Sequence, residues 1–215
     1  TSRHKAICPH RVFGSCMKVL NIDIFSDSEY AKMYGLMSAV RRKKADRYIR
    51  SEDRKLCILS DFTVRNLISE KCNIQPEEIK IMTDENGKPF TPIEGVFFNY
   101  SHSGKYVAAE ISDRPVGVDI EVLRDLKKSD ISAIHRFATD SEAKFIGCDE
   151  TRFFTIWTLK EAYLKCTGEG IKDNLKGVEF NIIDNSILCN IPGYSFKFFC
   201  ADDYIVSICF AVDNI

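Results

Sequence analysis

The sequence predicts an α+β fold. Three observations carry this: long stretches with helical period, short alternating strands joined by tight turns, and a C-terminal tail that reads as successive antiparallel strands. Residues 1–16 show no period. Met17 then opens the strand-like run KVLNIDIF, with alternating apolar positions. A natural start at Met17 fits that pattern, leaving residues 1–16 as an N-terminal extension or a cloning remnant. Residues 28–72 are mainly helical, with a break near Gly35. From Ser51 to Cys72, charges alternate with Leu56, Leu59, Phe62, Leu67 and Ile68, which mark one packed helix face. Gln75-Pro76-Glu77-Glu78 is a turn before a short strand at 79–83, and Asn86-Gly87, prolonged by Lys88-Pro89, is a second turn. Strands follow at 96–102, 106–111 and 116–122, separated by Ser103-Gly104 and by Asp113-Arg114-Pro115. A helical segment at 129–137 precedes a helix opening at Asp140-Ser141-Glu142. The long helix at 151–167 closes at Gly168 and Gly170. No internal repeat is visible.

The chain has 215 residues, enough for one large domain or two small ones. At 45% hydrophobic and 28% charged residues it matches soluble chains that bury a core without staples. No apolar run reaches the ~18 residues of a membrane helix, and collagen-like periodicity is absent. TSRHKAICPHR lacks the apolar core of a secretory signal. Nine cysteines without a C-x-x-C, several in apolar patterns such as IVSICFAV, point to a reducing compartment and hence the cytoplasm. The spacing of His4, Cys8, His10 and Cys16 matches no common zinc finger. The net charge of −1 is unevenly spread. Residues 1–115 carry 19 Lys/Arg against 15 Asp/Glu, and residues 116–215 carry 11 against 16. Such a chain suits an anion at the first half and a metal at the second. Ordinary surface scatter is the plainer explanation.

Four features bear on chemistry. In Val116-Gly117-Val118-Asp119-Ile120-Glu121, strand alternation places Asp119 and Glu121 on one face. Their backbones are about 7 Å apart, so their oxygens can converge on one hard cation, or simply form a solvated acidic face. In RFFTIWTLKEAYLKCTGEG, Phe153, Ile156, Leu159, Tyr163 and Cys166 mark an apolar face. Trp157, Glu161 and Lys165 form a second stripe, with Lys160 on an adjoining face. Asn99-Tyr100-Ser101-His102-Ser103-Gly104 invites a nucleophile-and-base reading, but strand neighbours point to opposite faces and no G-x-S-x-G elbow is present. Donors at a glycine-bearing turn suit an anion better than a hydrolase. Finally, Arg41-Arg42-Lys43-Lys44, Arg47, Arg50, Arg54 and Lys55 form a basic cluster, without the aromatic interleaving of a nucleic-acid surface.

Taken in order, Ser101-His102-Ser103-Gly104, Gly117-Val118-Asp119-Ile120-Glu121 and Trp157-Thr158-Leu159-Lys160-Glu161-Ala162 with Lys165 resemble the 4′-phosphopantetheinyl transferase superfamily. The length and the Asn86-Gly87-Lys88-Pro89 turn make the chain similar to its larger, surfactin-activating (Sfp) type. The resemblance runs from about Met17 to the C-terminus. It implies two similar α+β halves, residues 17–114 and 115–215, with the active site in the cleft between them. It also implies transfer of 4′-phosphopantetheine from coenzyme A to a serine of an apo acyl or peptidyl carrier protein, with release of adenosine 3′,5′-bisphosphate.

By the same resemblance, Asp119, Glu121 and Glu161 would bind Mg²⁺, and Glu161 or Glu142 would take the serine proton. Lys160 and Lys165 would face phosphate oxygens, with Lys165 stabilising the leaving group. Lys88, Ser101 and His102 match coenzyme A contacts, and Arg41 and Lys44 match residues that hold the 3′-phosphate. Trp157 would support the site by packing. One departure stands out: relatives often carry Arg-Thr where this chain has Leu56-Cys57, for which Lys55 or His102 would compensate. The expected partner is a small acidic helical carrier docking beside the cleft, and a monomer suits a two-half design. A non-catalytic coenzyme A or carrier-binding module is the alternative.

Overall fold

The computed structural model describes residues 16–85, 87–168, 175–184 and 186–212. His4, Cys8, His10, Asn86 and Gly170 lie outside them. The chain divides into two compact units, Thr1–Arg114 and Pro115–Ile215.

The first unit holds β1 (Cys16–Asn21), α1 (Asp27–Leu36), α2 (Ala39–Ala45), α3 (Ser51–Cys72), β2 (Met82–Thr83), β3 (Pro89–Phe90), β4 (Phe97–Ser103) and β5 (Tyr106–Ser112). β1 is shorter than its alternating run. The Asn21 side chain accepts a hydrogen bond from the Asp23 amide and folds the chain into a 3₁₀ turn at Ile22–Ile24. Ser26 and Glu29 form a capping box at the start of α1. The predicted helical break falls after Gly35, not at it, because the Ser38 hydroxyl accepts from the Arg41 amide and starts α2. α3 ends where Asn73 turns left-handed at φ 55°. It lays Val64, Leu67 and Ile68 against Ala109 and Ile111 of β5, in an antiparallel sheet of order β1-β5-β4.

The second unit holds β6 (Val116–Val122), α4 (Lys128–Phe137), α5 (Asp140–Ile146), α6 (Glu150–Thr167), β7 (Phe180–Ile183), β8 (Ser186–Cys189), β9 (Tyr194–Cys200) and β10 (Tyr204–Ala211). β7 and β8 form a hairpin, and the main sheet has the order β6-β10-β9. The two units therefore repeat one plan. In each, the first strand pairs with the last, the last pairs with the one before it, and the longest helix lies on the sheet. α6 buries ten of its eighteen residues, more than the single apolar face read from the sequence. β6 and β10 cover one side of it, while Phe137 of α4 and Phe180 of β7 join its other core contacts. The buried Thr155 and Thr158 are tolerated because their hydroxyls donate to Thr151 and Phe154 carbonyls one turn back. No described helix is long and apolar enough to cross a membrane.

Candidate functional site

The site in the second unit starts from a glycine. A Cβ on Gly117 would stand 2.0 Å from the Ala162 carbonyl oxygen and 2.4 Å from the Cys166 amide nitrogen. No side chain fits, so β6 and α6 meet backbone to backbone. Ala162, Cys166 and Cys209, the partner of Gly117 on β10, complete this small-residue contact. Two residues along β6, Asp119 lies on the same face, opposite Ser207. Ser207 shares a 2.7 Å hydrogen bond with Thr158, fixing the rotation of α6 over the sheet. At Asp119 the acidic strand face is thus covered by the helix, with that residue 4% exposed, while Glu121 is part-buried.

This contact brings α6 side chains to the acids. Lys165 Nζ donates to Asp119 Oδ1 at 2.6 Å, so the lysine pairs across to the strand and not along its own helix with Glu161. Glu161 Oε1 and Asp119 Oδ2 are buried oxygens that accept no hydrogen bond among the described residues. Burial pushes the Glu161 carboxyl pKa up, the Asp119 charge adds to this, Lys165 opposes it, and Glu121 adds a smaller increment. Asp119, Glu121, Glu161 and Lys165 therefore share one electrostatic environment. Hard, anionic oxygen donors with a buried oxygen short of a partner are what a divalent cation such as Mg²⁺ takes. The carboxylates are not drawn together on a common point: among the described residues, no three metal-ligating side chains form a closed group.

Two predicted residues stand elsewhere. Lys160 and Glu142 are fully buried and paired at 2.8 Å. The lysine also donates to the Leu175 and Val178 carbonyls at 2.9 and 2.6 Å, so its three protons all have acceptors. Burial lowers the Lys160 pKa, and the Glu142 bond opposes that. Glu142 Oε2 caps the Thr139 amide and Oε1 accepts from the Phe180 amide. In this placement neither group reaches solvent. Together they pin α5, α6 and the start of β7. Lys160→Met should cost about 3–5 kcal/mol, the penalty for stranding a buried charge, in chemical denaturation. Adding Glu142→Leu should recover part of it, but not the two amide bonds. A single-variant cost under about 1 kcal/mol would contradict this. Trp157 packs edge-on to Phe137 at 5.1 Å, a supporting position.

In the first unit, Ser101 is buried and His102 exposed on alternate faces of β4, so they form no catalytic pair. The Lys88 amide donates to Asp84 Oδ1 at 2.8 Å and shapes the β2–β3 turn, with its side chain part-buried. In α2, Lys44 is exposed while Arg41 turns inward. Arg41 Nε donates to Asp61 Oδ1 at 3.2 Å, and Arg65 Nε donates to Asp61 Oδ2 at 2.6 Å. This buried ion network went unread in the sequence. The available signal was an Asp–Arg pair at i, i+4 on a helix otherwise rich in apolar residues. Leu56 and Cys57 of α3 are buried in the core.

Comparison with known proteins bears on both units. Residues 25–112 match the family described as 4′-phosphopantetheinyl transferase, N-terminal, and residues 115–209 match the 4′-phosphopantetheinyl transferase superfamily. The chain is 28% identical over 166 residues to a 4′-phosphopantetheinyl transferase of Bacillus subtilis, covering 74% of this chain and 73% of that protein. It is 34% identical over 145 residues to the 4′-phosphopantetheinyl transferase psf-1 of Bacillus pumilus, covering 65% of this chain and 61% of the relative. Similarity to the 4′-phosphopantetheinyl transferase HetI of Nostoc is 27% over 194 residues, covering 84% and 81%.

Proposed function

The chain belongs to the 4′-phosphopantetheinyl transferase superfamily, a family of transferase enzymes, and from that premise we propose that it moves 4′-phosphopantetheine from coenzyme A to a serine of an apo acyl or peptidyl carrier protein. The observation that carries this reading is the grouping of Asp119, Glu161 and Lys165 where β6 meets α6. The serine oxygen forms a bond to the β-phosphorus, the bond from that phosphorus to the bridging oxygen breaks, and adenosine 3′,5′-bisphosphate leaves. Glu161 is the group proposed to accept the serine proton. Its half-buried carboxyl holds a proton more readily than an exposed one. Lys165, oriented by Asp119, places its ammonium for the charge that develops on the departing phosphate. Asp119, Glu121 and Glu161 would hold a Mg²⁺ ion, which when bound neutralises charge on the pyrophosphate.

Arg41, Lys44, Lys88, Ser101 and His102 are proposed to bind coenzyme A, with Arg41 and Lys44 on its 3′-phosphate. Lys160 and Glu142 act as the buried support of α6. The described cysteines form no disulfide with one another, which supports a cytoplasmic enzyme.

The test is intact-mass analysis of an apo carrier incubated with the protein, coenzyme A and Mg²⁺, beside mixtures with EDTA or a carrier lacking its acceptor serine. One added phosphopantetheine, lost in both controls, is the expected result. Coenzyme A binding without modification of any carrier would make the protein a binding module.

A further inference from the structure

The Arg41–Asp61–Arg65 network links α2 to α3 through buried charges. Asp61 is 0% exposed at its side chain, and its two oxygens are taken by two different arginines. Arg65 is equally committed: its Nη1 donates to the Pro76 and Ile79 carbonyls at 3.0 and 2.7 Å, clamping the segment that follows α3. Arg41 differs. It is held through Nε, the inner edge of the guanidinium, with its carbon 5.8 Å from the centre of the Tyr100 ring on β4. Its side chain remains 11% exposed, next to the exposed Lys44 one turn on. A guanidinium gripped at one edge and backed by an aromatic ring loses its rotamer freedom before any anion arrives.

We propose that Asp61 and Arg65 are positioning residues for recognition of the nucleotide 3′-phosphate: Arg65 fixes Asp61, and Asp61 fixes Arg41 so that its terminal amino groups meet that phosphate. This rests on the reading of Arg41 as a 3′-phosphate contact. Asp61 touches no substrate. It acts through Arg41 alone.

The experiment measures kcat/KM for coenzyme A and for 3′-dephospho-coenzyme A, with saturating carrier, in wild type, Arg41→Gln, Asp61→Asn and Asp61→Glu. The expected result is that Arg41→Gln and Asp61→Asn each lower the preference for coenzyme A about tenfold, the loss of one charge-assisted hydrogen bond. The change should sit in KM more than in kcat, and Asp61→Glu, which keeps the charge but moves it by a methylene, should restore part of the preference. A fall that is equal for both substrates is a purely structural effect and overturns the proposal. If Arg41→Gln shifts the preference and neither Asp61 variant does, the positioning role fails alone. If Arg41→Gln leaves the preference unchanged, the 3′-phosphate reading fails and the proposal with it. Should Asp61→Asn not fold, Asp61→Glu answers the same question, since both arginines keep a counter-charge.

Discussion

Asp119→Asn should lower carrier modification by at least ~100-fold while the protein keeps its fold, an effect of the size seen when one preorganised electrostatic group is removed. Asparagine has nearly the same volume, and its amide oxygen still accepts from Lys165 Nζ at the position where Asp119 Oδ1 stands 2.6 Å away. What disappears is the negative charge. Lys165 then lacks the counter-ion that orients it, and a Mg²⁺ ion loses one of three proposed ligands. A 100-fold loss corresponds to about 2.7 kcal/mol of transition-state stabilisation, far above the cost of altering a surface acid. Initial rates from intact carrier mass, with thermal melts beside them, separate chemistry from folding. Normal turnover in this variant would remove the β6–α6 acids from the mechanism.

Gly117→Ala should unfold or loosen the second unit, an effect larger than adding a methyl usually produces. The new Cβ would need space held by backbone atoms at 2.0 and 2.4 Å, and backbone cannot rotate away as a side chain can. Overpacking ordinarily costs about 1–3 kcal/mol. Here strand and helix must separate, so about 3 kcal/mol or more is expected, a fall in Tm on the order of 10 °C. Activity should fall further than stability, because Asp119 leaves α6 along with Gly117. Gly35→Ala is the control: it sits inside α1 with nothing within 4 Å of the place its methyl would take, so it should stabilise by up to about 1 kcal/mol. An unchanged melt for Gly117→Ala would mean that β6 and α6 are not in backbone contact.

Much of the fold follows from local chemistry. Ser26-Asp27-Ser28-Glu29 writes a capping box, Thr139 and Glu142 write another, and Gly168 at φ 74° ends α6 where the sequence places its stop. Val116–Val122 is a strand with the alternation that puts Asp119 and Glu121 on one face. Less legible was the repeat. The two units share strand order and helix placement with no repeating motif in the sequence, because sheet pairing fixes backbone geometry and leaves side chains free to differ.

The sequence by itself determined the residue types and their spacing: three acids and a lysine on a strand and a helix, a basic stretch from Arg41 to Lys55, and a glycine two places before Asp119. Only the tertiary structure decided which charges face one another. Lys165 lies four residues from Glu161 and forty-six from Asp119, yet it bonds to the distant acid, since the absent side chain at Gly117 lets the helix settle on the strand. Lys160 and Glu161 are neighbours in sequence with opposite fates: one is enclosed with Glu142 and two carbonyls, the other stands beside Asp119. A helix rotates successive residues by about 100°, and the surfaces that cover each face come from elements far away in the chain. Burial, and with it the strength of every charge interaction, is therefore a property of the packed fold and not of the motif.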